Sequence, residues 1–308
     1  MSDERPDASP LSEGPTSPWS VPDFRWLWLG RLAAVLGIQI QSSALLWQVY
    51  EIARRDHPIE QASLYLGLVG LAQFLPLLAL TLPAGAMADR RDRKTTVILS
   101  VLVEGSCAAA FLALALRGDP PLWGLLAIAA VFGGARAFLA PATQAFLPMV
   151  VGRRALAPAI AAQSIAFQTG AIAGPALGGL IVGLSVPLAY GVSAAMFAVA
   201  VTSLLLIRTS GRPPVIQTGL TRLQAVTEGL RYVWKTKIVL GAISLDLVVV
   251  MFAGVALLTP VFARDILHVG ALGFGLLRAS FGVGALAMAV YLSRFPITRN
   301  GGTWMLAA

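Results

Sequence analysis

The chain has 308 residues, 57% of them hydrophobic and only 12% charged, and its mean hydropathy is +0.76. A soluble domain carries about 25% charged residues, so this composition excludes an ordinary water-soluble fold and describes a polytopic membrane protein. The net charge of +8, which in a soluble chain would suggest a nucleic-acid partner, has here to be divided between the two faces of a bilayer, and no nucleic acid is expected.

Residues 1–22 are rich in Pro, Ser, Asp and Glu and have no apolar period, so a disordered cytoplasmic tail is expected there. The first apolar run, 27–49, is longer than the core of a signal peptide and no small-residue cleavage site follows it, so it should stay as a membrane helix. Runs bounded by charge or by Pro/Gly clusters predict further spans at 64–87, 95–116, 122–146, 156–184, 186–207, 238–262 and 272–292, and a ninth begins at Gly302. Each can cross ~30 Å of hydrocarbon at about 1.5 Å per residue. The fold class is therefore all-α. Connections are short except 208–237, a basic, proline-containing loop that divides a six-helix bundle, 23–207, from a second group, 238–308. Inside that loop Leu220, Leu223, Val226, Leu230, Val233 and Trp234 recur at helical spacing among Arg222, Gln224, Glu228, Arg231 and Lys235. Such a helix should lie flat at the headgroups.

Orientation follows from the basic residues. One set of alternate loops carries Arg5, Arg25, the 90–94 cluster, Arg153, Arg154, the long loop, Arg294 and Arg299; the other carries Arg54, Arg55, Arg117 and Arg264. The positive-inside rule puts the N-terminus and the long loop in the cytoplasm, in the inner membrane of a bacterium.

The run 64–87 has no charge, whereas six of the next seven residues are charged. Within this stretch Gly85 has no side chain, so a neighbouring helix can approach it, and Asp89, one turn on, could accept hydrogen bonds from that neighbour. Arg90, Arg91, Arg93 and Lys94 follow at headgroup level, where a plain positive-inside anchor is the simpler reading. The order Gly85, Asp89, Arg90, Arg93, Lys94 resembles the signature loop between the second and third helices of the major facilitator superfamily. The resemblance implies a cytoplasmic latch in which Asp89 and the arginines pair across helices when the carrier faces outward. Six spans, a long basic loop and further spans repeat that superfamily's plan. Its members have twelve helices in two halves, so this sequence covers one complete half and an incomplete second one. A product of residues 1–308 alone is expected not to transport.

Five ionisable residues fall within spans: Arg31, Glu104, Arg136, Asp246 and Arg278. Each costs at least ~2.5 kcal/mol at a helix centre, so each should face the bundle interior or a watery cavity. Asp246 reads either as a carboxyl that exchanges protons during transport or as a standing partner for an arginine, and Glu104 has the same two readings. Arg136 loosely resembles the fourth-helix arginine of proton antiporters in the superfamily. Arg31 lies close enough to a helix end to snorkel. Cys107, the single cysteine, reads as a small buried hydrophobe.

In the fifth span Gly170, Gly174 and Gly178 are one turn apart, Gly179 follows, and Pro175 removes a backbone donor. The spacing makes a stripe for close helix contact with a bend in it. It resembles the glycine-proline motif of the drug:proton antiporters. Phe24-Arg25-Trp26-Leu27-Trp28, Trp47-Gln48-Val49-Tyr50, Phe74-Leu75-Pro76, Phe146-Leu147-Pro148 and Leu257-Leu258-Thr259-Pro260-Val261-Phe262-Ala263 look like the subgroup of enterobactin and macrolide exporters. That implies a monomer in the lipid bilayer moving a siderophore-like or drug-like molecule outward in exchange for protons, by alternating access.

No phosphate-binding Gly-rich loop is present, and the two histidines, His57 and His268, belong to no set with metal-ligand spacing. No cofactor, metal or enzymatic activity is expected, and no segment looks like a channel filter. The competing readings are a uniporter or importer of the same superfamily and a membrane sensor or assembly protein.

Overall fold

The computed structural model describes residues 17–212 and 257–294, together with 234, 236, 240, 241 and 244. Five long helices come first: α1 (Pro22–Asp56), α2 (Ile59–Arg90), α3 (Arg93–Leu116), α4 (Leu122–Leu184) and α5 (Val186–Leu206). One helical turn, Thr259–Val261, runs into a π-helical turn, Phe262–Ile266, and α6 spans Gly270–Arg294. All five long helices are long and apolar enough to cross a membrane. In hydrocarbon a segment must satisfy its own backbone hydrogen bonds, which is why uncharged runs of this length become helices.

α4 has 63 residues and would be roughly 95 Å long if straight, about three bilayer cores. It is not straight. Gly152 sits at φ 73°, ψ 175°, a backbone conformation that a side chain disfavours, and the chain reverses there. The expected spans 122–146 and 156–184 are thus the two arms of one element with no loop between them. The first span is likewise longer than its apolar run, since α1 extends to Asp56.

Gly170, Gly174 and Gly178 of the second α4 arm rest in turn on Val35, Gln39 and Ser43 of α1, so these two helices run parallel. Gly30 and Gly37 of α1 meet residues 193–204 of α5 in reverse order, so that pair is antiparallel. The Ser193 hydroxyl donates to the Gly37 carbonyl at 2.9 Å, and Tyr190 donates to Gln48 Oε1 at 2.8 Å. The second arm also crosses α6: Gly179 faces Gly275, Gly183 faces Leu272, and Ile172 packs on Gly282.

The chain folds earlier than its composition suggests. Within the stretch expected to be a disordered tail, Pro18–Ser20 form a 3-10 turn with Pro18 buried. Trp19 packs edge-on against Phe24 and Trp28, with centroids 5.3 and 5.5 Å away, and its carbonyl accepts from Arg25 Nε at 2.7 Å. Aromatic stacking there outweighs the polar composition. The headgroup helix expected around 220–235, the body of the seventh span and the ninth lie outside the described residues.

Candidate functional site

The basic end of the bundle is tied by charges to helix termini. Asp92 caps α3, its Oδ1 accepting from the Thr95 amide at 3.0 Å. Arg93 donates to the Ala145 carbonyl at 2.9 Å and touches Met149 Sδ, near the end of the first α4 arm, and its amide donates to the Gly211 carbonyl at 2.8 Å. Lys94 donates to the carbonyl of Ile207, which ends α5. The Lys94 cation on the carbonyl at the end of α5 completes an acceptor that the helix leaves open and opposes its dipole. From α1, Asp23 Oδ2 accepts the Arg208 amide (3.1 Å), the Thr209 amide (2.7 Å) and the Thr209 hydroxyl (2.6 Å). Of the five signature residues, Arg93 and Lys94 therefore bridge helices. A Cβ at Gly85 would touch nothing among the described residues. The side chains of Asp89 and Arg90 lie outside the described residues.

Four of the five intramembrane ionisable residues are described; Asp246 is not. Glu104 of α3 is wholly buried and neither carboxylate oxygen has a hydrogen-bond partner among the described residues. Arg31 of α1 and Arg136 of the first α4 arm lie within electrostatic reach of it. Arg31 does more than snorkel. Its guanidinium stands 5.4 Å from the Phe167 ring centre and lines a cavity of about 720 Å³ between α1 and both arms of α4, near the basic end. Gln144, Gln163 and Gln168 line the same space, and the amide atoms of Gln163 are buried without a partner among the described residues. A second cavity, about 360 Å³, lies among α1, α2, the first α4 arm and α6, and takes Arg136 and Arg278 in its wall. Arg278 donates to the Ser43 hydroxyl at 3.3 Å, so α6 and α1 touch through it.

The expected hinge residues assemble two seams. Gly170, Gly174 and Gly178 face α1, Gly179 faces α6, and Pro175 is buried between those contacts. A Cβ at Gly170, Gly174, Gly178 or Gly179 would overlap the opposing helix, so these approaches depend on the missing side chains.

The opposite end carries a clasp that no spacing in the sequence reveals. Arg54 of α1 pairs with Asp265 of the π-helical turn, Nη2 to Oδ1 at 3.0 Å, and the Tyr50 hydroxyl donates to the same carboxylate. Arg264 reaches the Glu51 carbonyl at 3.5 Å. Burial by itself would raise the Asp265 carboxyl; hydrogen bonds from Arg54 and Tyr50, with the charges of Arg54 and Arg264, outweigh it and hold the group below its ordinary value. The sequence signal was only two ordinary loop charges 211 residues apart. The glutamines carry a weaker sequence signal than the charges, although an uncharged polar residue in a span also demands a partner.

Membrane-length helices, arginine-lined cavities and a glycine seam between α4 and α6 define a facilitator-type bundle. The chain belongs to the major facilitator superfamily: the family model described as transmembrane secretion effector matches residues 13–300. The multidrug efflux pump Tap of Mycolicibacterium fortuitum is 32% identical over 247 residues, covering 74% of this chain and 59% of that protein. Tap of Mycobacterium tuberculosis is 28% identical over 283 residues, covering 86% of this chain and 64% of that protein. The chain thus spans about three-fifths of the length of these curated relatives. Among solved structures, a bacterial homologue of the human lysosomal transporter Spinster, inward-facing and unoccupied, superposes with a TM-score of 0.65 at 18% identity, over 89% of this chain and 64% of that one. That likeness shows the fold.

Proposed function

We propose that the protein is a proton-coupled exporter of drug-like or siderophore-like small molecules, working by alternating access as a monomer in a bacterial inner membrane. Its basic end faces the cytoplasm, where the positive-inside rule puts Lys and Arg. The kinship with Tap efflux pumps supports outward transport of such molecules.

The observation that carries the coupling is Glu104, enclosed without a hydrogen bond among the described residues and flanked by Arg31 and Arg136. A carboxyl in that setting is stable either as the neutral acid or with a cation drawn close. Movement of Arg31 or Arg136 toward it and loss of its proton therefore go together, and such movement would accompany the filling of the cavities these arginines line. Asp246, in the seventh span, is the second coupling carboxyl in this reading. The Tyr50–Asp265–Arg54 clasp closes the outer end while the larger cavity lies near the basic end, an inward-facing arrangement. Substrate entry is followed by rocking along the Gly179–Gly275 seam, with release of the clasp and pairing of Asp89 with the latch arginines across helices at the cytoplasmic end.

The test is export by the full-length protein from energised cells, screened across siderophores and lipophilic antibiotics with and without a protonophore. Protonophore-sensitive export of at least one compound is expected. Absence of gradient-dependent export would turn the reading toward a sensor or assembly protein, and accumulation in place of export toward an importer.

A further inference from the structure

Arg136 and Arg278 line one cavity of about 360 Å³ together with Gln73 and Ser42. They come from opposite sides of the seam, Arg136 from the first α4 arm and Arg278 from α6, so a molecule held by both is held across it. Neither is neutralised by contact among the described residues. Arg278 has the neutral Ser43 hydroxyl as its hydrogen-bond partner and stands 5.9 Å from the Phe274 ring centre. Arg136 stands 6.0 Å from the Phe132 ring centre and has Glu104 within electrostatic reach, yet no ion pair joins either arginine to a carboxylate among the described residues. Arg278 is half-buried and Arg136 is exposed, but both lie within spans, where a guanidinium is costly unless an anion meets it. Their planar donor forks suit a carboxylate, which each can take in two parallel hydrogen bonds.

We infer that this cavity is the receptor for an anionic group, a carboxylate, on the transported molecule. The inference rests on the transport function proposed above and narrows its substrates to organic anions, away from lipophilic cations. The cargo supplies the counter-charge, and by bridging Arg136 to Arg278 it links the two groups of helices only while bound.

The test is equilibrium binding to the purified full-length protein of 2-naphthoate and 2-naphthylmethylammonium, fluorescent probes with the same ring system and opposite charge. Naphthoate should bind about tenfold or more tightly than the cation, and R278Q and R136Q should each weaken naphthoate by about tenfold or more. R278K, which keeps the charge, should retain part of the affinity and separates loss of the receptor from loss of the fold. Equal or tighter binding of the cation, no binding of either probe, or unchanged naphthoate affinity in R278Q would overturn the inference. Displacement of naphthoate by chloride but not by acetate at equal concentration would also overturn it, by assigning the site to an inorganic anion. Charge-selective binding without protonophore-sensitive export would sink the transport function and leave the receptor standing; export without charge preference would do the reverse.

Discussion

Gly179 of α4 and Gly275 of α6 meet backbone against backbone: a Cβ built on either falls within the main chain of the other. This contact fixes how closely α4 and α6 can approach. Replacing Gly275 with Ala should push the helices apart and cost about 1–3 kcal/mol, the usual penalty for overpacking. Gly85→Ala serves as the control, since a Cβ there meets nothing among the described residues. The midpoint of thermal unfolding in detergent, read for both variants, should fall for Gly275→Ala and stay near the parent for Gly85→Ala.

The clasp at the other end has a predictable response to pH. Asp265 titrates below its ordinary value of 3.8 in the folded state, so it adds stability above that value, and the contribution is lost only as pH falls through the lowered one. Between pH 8 and about 5 the clasp should therefore stay shut. Spin labels on the clasp-side ends of α1 and α6 should give the same separation across that range, and a wider one in Asp265→Asn. Opening of the unmodified protein near pH 6 would show that Asp265 is not held by Arg54 and Tyr50.

Asp23 anchors the chain after α5 by accepting two amides and one hydroxyl. Hydrogen bonds to a charged acceptor contribute about 1.5–3 kcal/mol each when well formed, less at a partly exposed site. Asp23→Ala should free this segment, so limited trypsin digestion after Arg208 should be several-fold faster than in the parent, with the midpoint of unfolding lowered only modestly. An unchanged cleavage rate would mean that Lys94 and Arg93 hold the segment without Asp23.

The helical content and the family could be read from residue order because both are local signals: uncharged runs set the spans, and Gly85 to Lys94 fall close together in the chain. The stripe at Gly170, Gly174 and Gly178 was visible for the same reason, since a one-turn period means a shared face. What spacing could not say was which helix lies on that face, and α1 and α6 turn out to divide it between Gly178 and Gly179. Arg153 and Arg154 read as a loop in the sequence, whereas the reversal needs one residue, Gly152, whose backbone conformation no charge pattern encodes. The clasp was invisible, because Tyr50 and Asp265 are brought together only by the packing of elements 215 residues apart. The Trp19 contacts with Phe24 and Trp28 are hidden by the polar average of residues 1–22, because one aromatic ring anchors a turn without changing that average.

The coupling assigned to Glu104 is the claim on which the account most depends. It is tested by recording proton movement with a pH-sensitive dye inside vesicles that hold the full-length protein, while a transported compound is exported, for the parent and for Glu104→Gln. The account predicts counter-movement of protons in the parent, and in Glu104→Gln continued binding and downhill flux of the compound with that counter-movement lost. Proton movement per molecule exported that is the same in both proteins would contradict it.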